Sequence, residues 1–249
     1  DKDLPMRSYA ELVEGKLADK QGNPEQAMKI FASVMDNKAY PGKIRDLGRL
    51  ALAKAEIIRE KNNPEQAEEE TRAQPQAEEA PHTAGTAEER LLAFIGGKSE
   101  SSLLMDAFNM LLEEDTFRTN PHALEKLTGW VNARDAARQP AAMYAMGSLL
   151  LAKDDLPGAV KIAEEGLSKY PQSLPVQTLC LNTITALLDN NRVEDAERLI
   201  SKYPGTAPGL VFQQGALAFR KGDYQLAQKL FHEAARRASE KTAESALFN

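Results

Sequence analysis

Residues 215–234 read Gly-Ala-Leu-Ala-Phe-Arg-Lys-Gly-Asp-Tyr-Gln-Leu-Ala-Gln-Lys-Leu-Phe-His-Glu-Ala, and the spacing within this stretch decides the fold. Gly215 is followed by Gly222 seven residues on, then by Tyr224, Ala227, Phe231 and Ala234. The last three are four and three residues apart, so they share one side of a helix. Small residues there let a second helix close around the large one. Gly222 and Asp223 supply the turn between the two helices, and Asp223 is placed to cap the second.

The same frame recurs. Gly15, Gly22, Ala27 and Phe31 occupy equivalent places near the start, as do Gly147, Ala159, Ala163 and Pro171 in the second half. Weaker copies put Ala67 and Ala196 at the helix alanine, and a degenerate one puts Leu124 there. Most steps between these marks lie near a period of about 34 residues. Four positions before the marks stand Asn23, Asn63, Asn120, Asp155 and Asp223, whose side-chain oxygens suit an N-cap. Pro24, Pro64 and Pro121 then take the first helical position, where the missing N–H costs nothing. In the sixth copy Arg192 stands instead, and Asn190 or Asn191 is available as the cap.

This pattern resembles the tetratricopeptide repeat, in which a small residue on helix A admits helix B, and an Ala, an aromatic and a second Ala line one face of helix B. The resemblance implies an all-α fold, an α-solenoid of antiparallel helix pairs, interrupted by one acidic linker. It is closest over residues 9–66 and 140–238. The expected division is a helical unit at 1–67, an acidic linker or long loop at 68–88, and a helical array at 89–249. Within that array a degenerate pair spans 99–138 and clear repeats span 140–240. Residues 68–88 carry Glu68, Glu69 and Glu70 and the breakers Pro75, Pro81 and Gly85, with little to bury. Ala243 to Phe248 read as the opening of another helix, as in a piece of a longer chain.

Composition agrees with an all-helical chain: Ala, Leu, Glu, Lys and Gln dominate, and no stretch alternates as a strand does. The net charge of -6, with basic residues scattered among acidic ones, argues against a nucleic-acid partner. One cysteine, Cys180, excludes an internal disulfide framework, and leaves bacterial periplasm and cytoplasm equally open. No apolar run approaches the roughly 20 residues of a membrane span. The start at Asp1 has neither the basic nor the apolar region of a signal peptide.

Candidate chemistry is thin. Gly96-Gly97-Lys98-Ser99 resembles the end of a phosphate-binding loop, but Leu92 stands where that loop needs Gly. A turn capped by Ser99, before a helix carrying Leu103, Leu104, Ala107, Phe108 and Leu111, fits better. His82, His122 and His232 lack partners at ligand spacing. Cys180 sits among Leu179, Leu181 and Ile184 as a buried thiol. The acidic runs lack the alternating oxygens and glycine of a calcium loop. Trp130, beside Leu124, Leu127 and Val131, and Phe117 read as core, and Asp154-Asp155 as a turn and cap. No residue is assigned a catalytic, metal or cofactor role.

The resemblance also implies where a ligand sits, because successive helices A line a concave groove. Those positions are Tyr144, Ser148 and Leu151, then Leu181, Thr185 and Leu188, then Phe212, Ala216 and Phe219, with Asp189 and Arg220 at the edge. Family members that grip a C-terminal carboxylate carry Lys and Asn there, whereas Tyr144, Leu181 and Phe212 form an apolar floor. The expected role is therefore a non-enzymatic scaffold, a bacterial adaptor or assembly factor, holding a peptide or partner helix. The alternatives are a groove covered by a helix of the same protein or by a following repeat missing from this chain, and self-association of repeats through their end faces.

Overall fold

The computed structural model describes the backbone of residues 4–62, 87–97, 101–133, 135 and 138–247, with side chains at 60, 61, 87, 101, 102 and 240–247 left aside. Thirteen helices and no strand occur among the described residues. They fall into two compact units, residues 1–120 and 121–249.

The first unit starts with α1 (Leu4–Lys20) and α2 (Pro24–Asp36), joined as the repeat frame requires. Gly22 holds φ at 78°, in the left-handed region that favours glycine. Asn23 then caps α2, its side-chain oxygen accepting from the Gln26 N–H, with Pro24 in the first turn. A Cβ on Gly15 would stand 2.5 Å from the Phe31 ring, so the missing side chain is what admits α2. Leu12, Ala27, Phe31 and Met35 are buried at that contact. Next, α3 (Gly42–Asn62) packs on both helices, with Gly48 set against Val34. α4 (Ala87–Gly96) follows, tied to α3 by an Arg90–Glu56 ion pair and burying Leu91, Phe94 and Ile95. α5 (Ser101–Glu113) buries Leu103, Leu104, Ala107, Phe108 and Leu111, as its sequence implies. The short α6 (Asp115–Thr119) buries Phe117.

Residues 89–119, which the sequence frame groups with the C-terminal array, thus lie in the compact unit that ends at Asn120. Of the acidic segment 68–88, Ala87 and Glu88 open α4, and the remainder lies outside the described residues. The copy marked by Asn63, Pro64 and Ala67 also lies outside them, as do His82 and Ser99.

The second unit contains α7 (Ala123–Asn132), α8 (Gln139–Ala152), α9 (Leu156–Lys169), α10 (Leu174–Asp189), α11 (Val193–Lys202), α12 (Pro208–Arg220) and α13 (Tyr224–Leu247). Helices α8/α9, α10/α11 and α12/α13 form consecutive pairs, and α7 packs on α8. The first members also pack in series, α8 on α10 and α10 on α12. Each pair turns through a left-handed residue, Asp154 at φ 61°, Asn191 at 56° and Gly222 at 82°. Each of these stands five positions before a buried alanine, Ala159, Ala196 or Ala227. Asp155 caps α9 through the Gly158 N–H at 2.9 Å, and Asp223 caps α13 through the Leu226 N–H at 3.0 Å.

Three local expectations change. Ala123, not Leu124, takes the buried place on α7; Asn120 closes α6 through its N–H to Phe117, and Pro121 lies in the turn. The α11 copy has no side-chain cap: Asn190 donates back to the Ala186 carbonyl, Asn191 makes the left-handed turn, and Arg192 pairs with Asp195. Residues 243–247 continue α13 rather than open another helix, since the chain from Tyr224 onward contains no Gly or Pro to end it. Three consecutive pairs in one register make the second unit a tetratricopeptide-like repeat array.

Candidate functional site

The repeat register brings the implied groove positions into three rows, on α8, α10 and α12. They differ in what covers them. On α8, Tyr144 is buried and Ser148 and Leu151 are half-buried, with the Ser148 hydroxyl enclosed without a hydrogen-bond partner. The glycine beside them, Gly147, is filled by Leu179 of α10: a Cβ there would lie 2.3 Å from Leu179 Cδ1.

On α10, Leu188 is buried and Leu181 and Thr185 lie along the seam with α12. A Cβ on Gly209 would sit 2.9 Å from Leu181 Cδ1. Gln213, itself buried, donates through Nε2 to Thr185 Oγ1 at 2.7 Å, and Arg220 Nη2 meets Asp189 Oδ1 at 3.3 Å. These side chains are therefore engaged in holding α12 against α10.

On α12 the row is open. Phe212 is 52 % exposed and Phe219 55 %, with Ala216 half-buried between them. Each ring has an aromatic neighbour on α13. Phe212 stacks at a tilt on Phe231 of α13, centroids 5.2 Å apart, and Phe219 meets Tyr224 edge-on at 5.4 Å. Aromatic pairs of this geometry contribute about 0.5–1.5 kcal/mol beyond area burial. The row thus offers two oriented aromatic rings flanking a small residue, bounded by Arg220.

Other candidates stay structural. Cys180 is fully buried, and burial, helped by the charge of Glu164, pushes its thiol up to about 12. His122 precedes α7 with Nδ1 3.2 Å from Glu125 Oε2, both exposed, and His232 is exposed on α13. Gly97 closes α4, its N–H bonded to the Ala93 and Phe94 carbonyls, as a turn does and a phosphate loop does not. Trp130 is half-buried on α7. A cleft of about 150 Å³ lies between α9, α10 and α11, but Arg192 and Arg198 on its wall both pair with Asp195. That is small beside ordinary ligand pockets of about 300–1,000 Å³. Among the described residues no group of three His, Cys, Asp or Glu side chains converges as a metal site. No helix among them is long and apolar enough to cross a membrane.

The sequence frame omits one exposed surface. On α1, Met6, Tyr9, Val13 and Leu17 are exposed, opposite the face that buries Leu12, Gly15 and Ala18. Their spacing of three, four and four was the available signal; two apolar faces on one helix cancel its amphipathicity and hide both.

No protein-family model matches the chain, and no curated protein matches it. Among solved structures, one described as a functional characterisation of Pseudomonas aeruginosa pilF is 14% identical, covering 95% of this chain and 97% of that one, TM-score 0.48. A tetratricopeptide repeat protein from Parabacteroides merdae is 13% identical over 93% of each chain, TM-score 0.36. A kinesin light chain from Podosopora anserina with nearly identical TPR-like repeats is 14% identical, covering 94% and 96%, TM-score 0.34.

Proposed function

We propose that this chain is a non-catalytic protein-interaction scaffold that takes a peptide or partner helix on the open row of α12. One observation supports this above the others: Phe212 and Phe219 are half-exposed, and each is paired with an aromatic ring of α13, Phe231 or Tyr224. Aromatic anchors dominate binding energy at many interfaces through the area they bury in well-packed contacts. Ala216 between them and Arg220 at the rim complete the surface, while Tyr144, Ser148, Leu151, Leu181, Thr185 and Leu188 serve to stack the pairs beneath it. The pair Phe212→Ala and Phe219→Ala should cut capture of proteins from a native lysate by about tenfold or more, with the helical circular-dichroism signal unchanged. Equal capture by both proteins sinks this placement.

The second reading, self-association, is favoured by the α1 stripe. A run of four exposed apolar residues over more than three turns is unusual on an isolated surface. Light scattering over a concentration series should show oligomers that Val13→Glu returns to monomer. A wild-type chain that stays monomeric throughout excludes it.

A further inference from the structure

The two seams between helix pairs of the second unit are built differently. At the first, α10 packs on α8 and α9 through enclosed apolar side chains: Leu179 fills the space left by Gly147, and Val176 would stand 3.0 Å from a Cβ on Gly166. At the second, counting back from the buried alanines Ala159, Ala196 and Ala227, Ile184 takes the place of Gly147 and Leu210 that of Leu179. A large residue thus stands where the first seam has none, and the close approach is lost. Across this seam run the half-buried Leu181 at Gly209, the Gln213–Thr185 hydrogen bond and two ion pairs.

The ion pairs come from adjacent residues at the end of α12. Arg220 Nη2 meets Asp189 Oδ1 of α10 at 3.3 Å, and Lys221 Nζ meets Glu197 Oε2 of α11 at 2.6 Å. One turn of chain therefore grips both helices of the preceding pair. The four side chains are from 38 % to 65 % exposed, so salt weakens the grip. The first seam also has charge pairs, Glu164 with Arg198 and Lys202, but enclosed packing joins its helices without them.

The chain between α11 and α12 supplies a pivot. Tyr203 is buried, its N–H on the Ile200 carbonyl of α11, and Arg237 of α13 donates to the Thr206 carbonyl at 2.8 Å. Tyr203 is thereby tied to one pair and Thr206 to the next. Between them lie Pro204 and Gly205, and Gly205 is exposed at φ 85°, where a Cβ would meet nothing within 4 Å. Hinges are a few such loop residues that absorb backbone rotation. The turn between α9 and α10 is tied down instead: the Ser173 N–H bonds to the Tyr170 carbonyl, the Tyr170 hydroxyl to Gln139, and the Gln177 amide to the Pro171 carbonyl.

We propose that α12 and α13 form a hinged flap that turns about Pro204 and Gly205, clasped on α10 and α11 by Arg220 and Lys221 and released by ionic strength. Gly215 against Phe231 keeps the two helices of the flap together as it turns. Phe212 and Phe219 ride on the flap, so its opening moves their row away from Leu181 and Thr185.

The test is a pair of distances in the full chain. Cys180 is fully enclosed, so nitroxide labels go on cysteines substituted at exposed Lys161 of α9, Glu194 of α11 and Lys229 of α13. Double electron–electron resonance between Glu194→Cys and Lys229→Cys should show a distribution that broadens about twofold from about 0.01 M to about 1 M salt. The Lys161→Cys, Glu194→Cys distribution across the first seam should not change. Arg220→Glu with Lys221→Glu should broaden the second distribution already at low salt, and adding Asp189→Lys with Glu197→Lys should narrow it again. Equal responses at the two seams, a second-seam distribution as narrow at high salt as at low, or failure of the charge exchange overturns the inference. Should the charge-exchanged chain lose its helical circular-dichroism signal, the salt series on the two seams decides alone.

Discussion

Gly15 and Gly215 occupy the same place in two copies of the repeat, and each is adjacent to the ring it makes room for. A Cβ on Gly215 would lie 2.9 Å from both Phe231 Cδ1 and Cε1, and one on Gly15 2.5 Å from Phe31. Phe31 is enclosed, whereas Phe231 is half-buried and less confined. Gly15→Ala should therefore cost about 1–3 kcal/mol by overpacking, and Gly215→Ala less. Thermal denaturation checks the order, and Phe31→Leu should rescue part of the Gly15→Ala loss. Equal costs at the two sites would show that the ring beside Gly215 is as confined as its counterpart. Gly147 follows a different logic, for the space it leaves is taken by Leu179 of the next pair. Spacing identifies such glycines as close approaches, but the approaching side chain stands sixteen positions away for Gly15 and Gly215 and thirty-two for Gly147.

Helix ends follow local chemistry closely. Asn23, Asp155 and Asp223 each accept a backbone N–H from the first turn that follows. Asp155→Ala should destabilise the second unit by about 1 kcal/mol, read as a lower denaturation midpoint with an unchanged denaturant slope. No change would mean that α9 is held by packing alone. Asn120 shows the limit of this reasoning. Its sequence context, Asn-Pro, is a cap signature, yet α7 begins only at Ala123, and Asn120 instead closes α6 with its N–H on the Phe117 carbonyl.

Charge pairs between α9 and α11, and within α13, make the second unit sensitive to acid. Glu164 of α9 is held below the usual carboxylate range by Lys202 and then Arg198 of α11, against the opposing effect of burial. Glu233 of α13 is held at about 2 by hydrogen bonds from Arg236 and then Arg237, and Arg237 also donates to the Thr206 carbonyl ahead of α12. Both carboxyls are depressed in the folded state, so the stability they add is present above the unfolded carboxylate value. It is lost as pH falls through the folded one, for Glu233 from about 4.5 toward about 2. Melting temperature should drop over that window, and more shallowly in a Glu164→Gln, Glu233→Gln double variant. Superimposable curves for the two proteins would remove these groups from the account.

The amino-acid sequence by itself determined the helix pairs. Period, turn residues and caps act within a few positions along the chain, and local backbone geometry is enough to express them. It also marked Phe212 and Phe219 as members of a row with Tyr144 and Leu188. Only the tertiary structure distinguished them, because exposure depends on what packs from the following pair: Tyr144 and Leu188 are buried, while the aromatics of α12 stay open. The same holds for α1, whose outer stripe is visible as spacing but becomes a surface only because α2 and α3 pack on its other side. Burial is a property of neighbours distant in sequence, and a repeat pattern shared by the copies carries no record of how exposed each row is.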